Sequence, residues 1–257
     1  MANPPPLGIV TGGTSGIGRA IAYRLAEDGY QLIVTGRDVD RGQVLASDIT
    51  TRTGRLTQFV ALPSDDWKAY DDLISAIGSK PIVTLVAAAA EGIQAHISDT
   101  ARDDFERLLR VNVLAPHYLV QRLAPHFSRP ASVTLISSDA GIEGEQALGA
   151  YSVTKAALNM LGRMLALDLA PQDIRVNVVC PGDTVPGMRY LLRPNETKRS
   201  DMDMLSWPIP PRGRLGSAED TADLVGFLSS PKADFIVGSV MLVDGGSRAG
   251  RRDDGIG

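Results

Sequence analysis

The chain has 257 residues, 44% of them hydrophobic and 22% charged, which is ordinary for a globular protein and long enough for one sizeable core. A formal charge of −4 carries no basic excess and argues against nucleic acid or an anionic membrane surface as a partner. One cysteine, Cys180, rules out an internal disulfide, and His96, His117 and His126 are too scattered to suggest a metal site.

The start of the chain, 1–7, is proline-rich and lacks the basic and apolar regions of a secretory signal. No apolar run approaches the roughly 20 residues that span a bilayer, so the expectation is a cytoplasmic protein. Residues 7–10 read as a buried strand, and 19–28 as a helix with Ile21, Ala22, Leu25 and Ala26 on one side. Strands follow at 31–35, 57–62, 82–88, 132–137, 175–180 and 240–243. Helices fall between them at 39–51, 67–77, 102–127, 150–169 and 218–228. Short apolar strands alternating with helices indicate βαβ units, a parallel sheet and right-handed crossovers. The fold class is α/β, a doubly wound Rossmann-type parallel sheet with helices on both faces, in a single domain covering 1–257. Cys180, in the apolar run from Val176, is expected to be a buried strand residue. Two segments read as irregular. The proline-containing stretch 184–214 carries Met188, Met202, Met204, Leu205 and Trp207 and is expected to cover a substrate site. Its basic Arg189, Arg193, Lys198 and Arg199 read as a solvated face. The tail 247–257 is expected to fray.

Thr11, Gly12, Gly13, Thr14, Ser15, Gly16, Ile17 and Gly18 join the first strand to the first helix. Glycines allow a sharp turn and close approach to a phosphate, and the helix aims its unpaired N–H groups at that anion. The spacing Gly-x-x-x-Gly-x-Gly departs from the best-known dinucleotide fingerprint, Gly-x-Gly-x-x-Gly. Tyr151 and Lys155 form an i, i+4 pair on one helix face. An ammonium beside a phenol stabilises phenolate, so the expectation is a tyrosine with a lowered pKa acting as general acid or base. Ser138, at the end of the strand before that helix, is placed to hydrogen-bond the same reacting oxygen. Asn112 is an amide within a largely apolar helix, read either as catalytic support or as a satisfied core amide.

With Pro181, Gly182 and the late Val243, Asp244, Gly245, Gly246, these residues give the chain a resemblance to the short-chain dehydrogenase/reductase family from Leu7 to about Gly246. The resemblance implies that Tyr151 transfers the proton, that Lys155 lowers its pKa and holds the nicotinamide ribose, and that Ser138 orients the carbonyl. Asn112 would support a water-linked proton path. It also implies a homotetramer or homodimer through the helices at 102–127 and 150–169. Cofactor contacts are expected from Gly12, Thr14, Ser15, Gly16, Ile17, Gly18, Arg37, Leu62, Ala88, Tyr151, Lys155, Gly182 and Thr184.

There are departures. The family's Asn-Asn-Ala-Gly is replaced by Ala87 to Ala90, followed by Glu91. Leu62 stands where an acidic residue often caps the third strand, with Asp65 nearby, and Pro186 stands where a threonine is usual, leaving Thr184 as the nearest hydroxyl. After the second strand, Gly36 occupies the place of the acid that selects NAD, and Arg37 offers a fork suited to a 2′-phosphate. NADP(H) is therefore favoured, with Asp38 as the group that would favour NAD(H) instead. The expected activity is an NAD(P)H-dependent oxidoreductase, a ketoreductase of biosynthetic metabolism, acting on a small carbonyl or alcohol. The alternative is a cofactor-binding but inactive sensor or assembly subunit, which the loss of the amides at 87–90 keeps open.

Overall fold

A computed structural model describes residues 4–64, 66–185 and 209–250. Seven parallel strands form one sheet in the order β3-β2-β1-β4-β5-β6-β9. They are β1 (Leu7–Thr11), β2 (Gln31–Gly36), β3 (Thr57–Ala61), β4 (Ile82–Ala87), β5 (Phe127–Ile136), β6 (Ile174–Pro181) and β9 (Val240–Val243). A small second pair joins β7 (Thr184–Val185) to β8 (Gly216–Ser217). The helices are α1 (Gly16–Glu27), α2 (Val39–Thr53), α3 (Ala69–Ile77), α4 (Arg102–Leu109), α5 (Ala115–Leu123), α6 (Gly149–Leu169) and α7 (Ala218–Ser229).

The continuous apolar strands follow from this layering. Successive residues point to opposite faces. Ile9, Ile33, Leu85, Leu135 and Val178 join one core with Leu73, Leu119, Leu123 and Leu158 of α3, α5 and α6. Their neighbours Val10, Val34, Val86, Ile136 and Val179 join the other with Ile21, Leu25, Ile49 and Val225 of α1, α2 and α7. Each fully buried leucine or isoleucine contributes roughly 1.5–3 kcal/mol, so both faces must be apolar for the sheet to hold two layers. Gly162 lets α6 settle onto β6, since a Cβ there would lie 2.2 Å from Val178.

The order reverses at β1 and β4, whose carboxyl ends open the crevice where such sheets bind ligands. The doubly wound reading holds, but the expected helix 102–127 does not run unbroken. α4 passes into a π-helical turn at Arg110–Leu114, then α5, then a 3-10 turn at Ala124–His126, and Phe127 already belongs to β5. The strand expected at 132–137 therefore begins five residues earlier. Phe127 pairs with Ile82, and the register shifts before Thr84 meets Ser132.

Candidate active site

The serine comes from the carboxyl end of β5 and the tyrosine and lysine from the first turns of α6. After β5 the chain turns through a 3-10 segment, Asp139–Gly141, whose first hydrogen bond is capped by Ser138: its Oγ accepts from Ala140 N at 3.2 Å. Three contacts clip this loop onto α6. Gly141 packs so tightly that a Cβ would fall 2.7 Å from the Lys155 carbonyl carbon. Ser137 Oγ donates to Lys155 O at 3.1 Å, and Asn159 Nδ2 donates to Gly141 O at 3.0 Å. As a result the Ser138 hydroxyl hydrogen-bonds with the Tyr151 phenol. Lys155, one turn on, lies with Nζ 5.5 Å from the Tyr151 ring centre. The three side chains singled out by spacing are thus brought together by the fold.

Their electrostatics differ from expectation. Burial raises the Tyr151 pKa above its ordinary value, the nearby carboxylates of Asp139 and Glu145 raise it further, and the Ser138 hydrogen bond opposes both. Lys155 is almost wholly buried, which pushes its pKa down to about 8, and its Nζ donates to Ile136 O at 3.0 Å. The expected lowering of the phenol by the lysine is therefore absent in this arrangement: the lysine's hydrogen bond goes to the backbone, and desolvation dominates both groups. Tyr151 therefore keeps its proton in this arrangement. Cys180 is buried beside this pair as the strand reading anticipated, with Sγ 3.6 Å from Asn159 Oδ1 and a thiol pushed up to about 11 by burial.

A nicotinamide dinucleotide fits the other half of the crevice. Gly12 and Gly16 take φ of +64° and +50°, conformations that favour glycine. A Cβ on Gly12 would sit 2.6 Å from Ala89 Cα, and one on Gly18 would sit 2.3 Å from Gly12 O, so the turn is closely packed by small residues on both sides. α1 begins at Gly16 with no side-chain cap from Ser15 and no acid in its first turn. By contrast α2 is capped by Asp38 and α7 by the reciprocal pair Ser217 and Asp220. An anion would satisfy the donors left open at α1. Thr14 lies against Gly36, where a Cβ would be 2.8 Å from Thr14 Cγ2, so this packing leaves no room for an acid at 36.

Beyond that turn, Arg37 NH1 pairs with Glu91 Oε1 at 2.6 Å. Asp38 accepts from Arg41 N at 3.0 Å and also lies 3.5 Å from Arg41 NH2. Ala88 N donates to Thr11 O at 3.2 Å, and Leu62, buried, donates its N–H to Gly36 O at 3.0 Å. Asn112, in the π-helical turn, accepts from Glu91 N at 2.9 Å and donates to Glu91 O at 2.8 Å and to Thr154 Oγ1 at 3.0 Å. Its amide thus clamps the loop after β4 to α6. Gly182 packs on Asp244, and Thr184 Oγ1 donates to Gly182 O at 2.8 Å. Met188, Met202, Met204, Leu205, Trp207, the four basic residues of that stretch, Asp65, Pro186 and the tail from 251 lie outside the described residues.

Three further residues of the site escape sequence reasoning. Glu91 stands in the sequence merely beside a run of alanines, yet it pairs with both Arg37 and, at 3.2 Å, Arg107. Asp139 accepts from Ser138 Oγ at 3.2 Å, and Arg248 pairs with Asp139 at 3.2 Å. The acid directly after Ser138 is the one available signal; the pairings themselves join residues 54 and 109 positions apart.

A family model described as "Enoyl-(Acyl carrier protein) reductase" matches residues 12–248. The human protein named "Dehydrogenase/reductase SDR family member 2, mitochondrial" is 35% identical over 251 residues, covering 92% of this chain and 84% of its own length. The chain belongs to the short-chain dehydrogenase/reductase family. A second relative in it, the "NADP-dependent (R)-specific alcohol dehydrogenase" of Lentilactobacillus kefiri, is 33% identical, with 94% of this chain and 96% of the relative covered. Among solved structures, a dehydrogenase/reductase from Sinorhizobium meliloti superposes with a TM-score of 0.84 at 30% identity and 96% coverage of both chains. As a short-chain dehydrogenase/reductase the chain is an oxidoreductase of small molecules that uses a nicotinamide cofactor. No helix among its described residues is long and apolar enough to cross a membrane.

Proposed function

We propose that the protein is an NADP(H)-dependent ketoreductase with Tyr151 as its proton donor. The observation that carries this reading is the hydrogen bond between the Ser138 hydroxyl and a buried, protonated Tyr151 phenol. Together they form a donor pair on one side of the crevice. The nicotinamide supplies the hydride when bound. Tyr151 would give its proton to the carbonyl oxygen of the substrate, and Ser138 would donate to the same oxygen as negative charge grows on it. Lys155 is the third member. Its role is to hold a ribose hydroxyl and, in the charged state, to favour the phenolate left behind. Asn112 is a positioning residue that fixes the loop from 89 to 91 against α6.

Arg37, preceded by Gly36 where an NAD-selecting acid would stand, supports the preference for NADP(H), and the kefiri relative carries that dependence in its name. A relative from Aquifex aeolicus named "3-oxoacyl-[acyl-carrier-protein] reductase FabG", 32% identical with 93% of this chain and 95% of the relative covered, supports a ketone of biosynthetic metabolism as substrate. The exposed stripe Met160, Met164 and Leu167 on α6 supports assembly of copies through that helix. The test is NADPH oxidation against a panel of ketones with wild type and Tyr151→Phe. Loss of turnover with cofactor binding kept within about two-fold supports the reading. A wild type that binds cofactor yet turns over nothing on the panel favours the sensor alternative.

A further inference from the structure

Arg37 follows β2 and Glu91 follows β4, with β1 between them in the sheet. The carboxyl ends of β2 and β4 are therefore two strand spacings apart, roughly 10 Å. The glycine turn fills that interval: Thr14 touches Gly36 on one side and Gly12 touches Ala89 on the other. The ion pair between Arg37 and Glu91 at 2.6 Å thus crosses the edge of the sheet over the turn that would receive the cofactor's phosphates.

The two ends of this bridge are unequal. The Arg37 side chain is 72% exposed, whereas that of Glu91 is 17% exposed. Glu91 is also held from behind, by Arg107 at 3.2 Å on its other carboxylate oxygen and by Asn112 on its backbone N–H and C=O. If the bridge opens, Arg37 is the half that moves. Glu91 then keeps Arg107 as a counter-ion and is not stranded. Asp38 does not compete for Arg37, being engaged at the start of α2.

We propose that Glu91 is a specificity-determining residue, a latch on Arg37 whose opening by a bound cofactor is compensated by a 2′-phosphate and not by a 2′-hydroxyl. The proposal rests on the NADP(H) reading above. A cofactor with a 2′-phosphate gives Arg37 a new anion in exchange for the one it leaves. A cofactor with a free 2′-hydroxyl gives it none, so the lost pair counts wholly against binding. Discrimination then comes from a penalty on the wrong cofactor as well as from attraction to the right one.

The experiment is equilibrium titration of the free enzyme with NADPH and NADH, read by cofactor fluorescence, for wild type, E91Q, E91A, R37A and R37A/E91Q. In E91Q and E91A the ratio of the NADH to the NADPH dissociation constant falls by about two- to five-fold, the range one exposed pair can supply, chiefly through tighter NADH. In the R37A background, E91Q leaves the ratio unchanged. An unaltered ratio in E91Q overturns the latch. So does a larger gain for NADPH than for NADH, which would mean simple repulsion of phosphate by the carboxylate, or an effect of E91Q that persists without Arg37. Failure of the cofactor reading is separately visible as a wild type that binds NADH at least as tightly as NADPH. The clamp by Asn112 uses only the main chain of residue 91, so both substitutions leave it intact.

Discussion

Arg248, close to the end of the described chain, donates through Nε to Asp139 Oδ2 at 3.2 Å and so ties that end to the residue following the active-site serine. The carboxylate is mostly buried, its other oxygen accepts from Ser138 Oγ, and Arg248 also pairs with Glu143 at 3.0 Å. Removing the guanidinium strands a charge beside the site.

Arg248→Ala is expected to destabilise the protein by roughly 1–3 kcal/mol, and Asp139→Asn in the same chain to recover most of it. Denaturant unfolding of the two single variants and the double variant checks this. A double variant no more stable than R248A would show that the pair does not carry the effect. Because Asp139 reaches Ser138 and not the cofactor turn, the kinetic loss in R248A is expected in kcat more than in cofactor binding.

Two buried groups give the free enzyme a signed response to alkali. Lys155 titrates near 8 when folded and near 10.5 when unfolded, so the unfolded chain binds the extra proton between those values. Its contribution to stability therefore rises with pH across that window. Tyr151, raised above 10, holds its proton more tightly when folded, so its contribution falls as pH climbs past 10. Unfolding free energies measured from pH 7 upward should show the rising limb in wild type and lose it in Lys155→Met. The tyrosinate absorbance of wild type minus Tyr151→Phe should titrate above the ordinary tyrosine range.

Arg37→Ala is expected to weaken NADPH binding by roughly ten- to a hundred-fold, the equivalent of one strong charged hydrogen bond, and NADH far less. Asp38→Ala should cost about 1 kcal/mol of stability through loss of the α2 cap and leave the cofactor ratio alone. Equal losses for both cofactors in R37A, or a ratio that moves in D38A, would return the selection to the aspartate.

Asn112→Ala removes three hydrogen bonds of a buried amide, at 2.8–3.0 Å. About 2 kcal/mol of stability should go with them, a fall in Tm of roughly 4–8 °C for a chain of this size. Calorimetry would show it. An unchanged Tm would mean that the loop after β4 is held by its own packing.

The layered sheet was legible because the central strands are largely apolar on both faces, leaving runs such as Leu32 to Val34 and Val178 to Cys180. The break in the helix at 102–127 was not. Its apolar spacing continues through Val111, Ala115 and Leu119, and a π-helical turn shifts a hydrogen bond without calling for any particular residue. The early start of β5 was hidden for a similar reason: Ser128, Arg129 and Pro130 carry little strand character, and pairing with Ile82 decides their state. In the site, Tyr151 and Lys155 showed through helical spacing taken together with Ser138 upstream and the glycine turn. The environment that raises the phenol did not, because Asp139 and Glu145 reach it only once the loop after β5 is pressed onto α6.

The bare start of α1 has a consequence for the protein's lifetime. The flanking α2 and α7 bring their own acceptors for their opening amides and α1 brings none, so a nucleotide bound there would hold part of the folding free energy. Saturation at a hundred times the dissociation constant adds about 2.7 kcal/mol. Copies that lose the cofactor would unfold and be degraded first, so abundance would follow the supply of dinucleotide without any dedicated regulator.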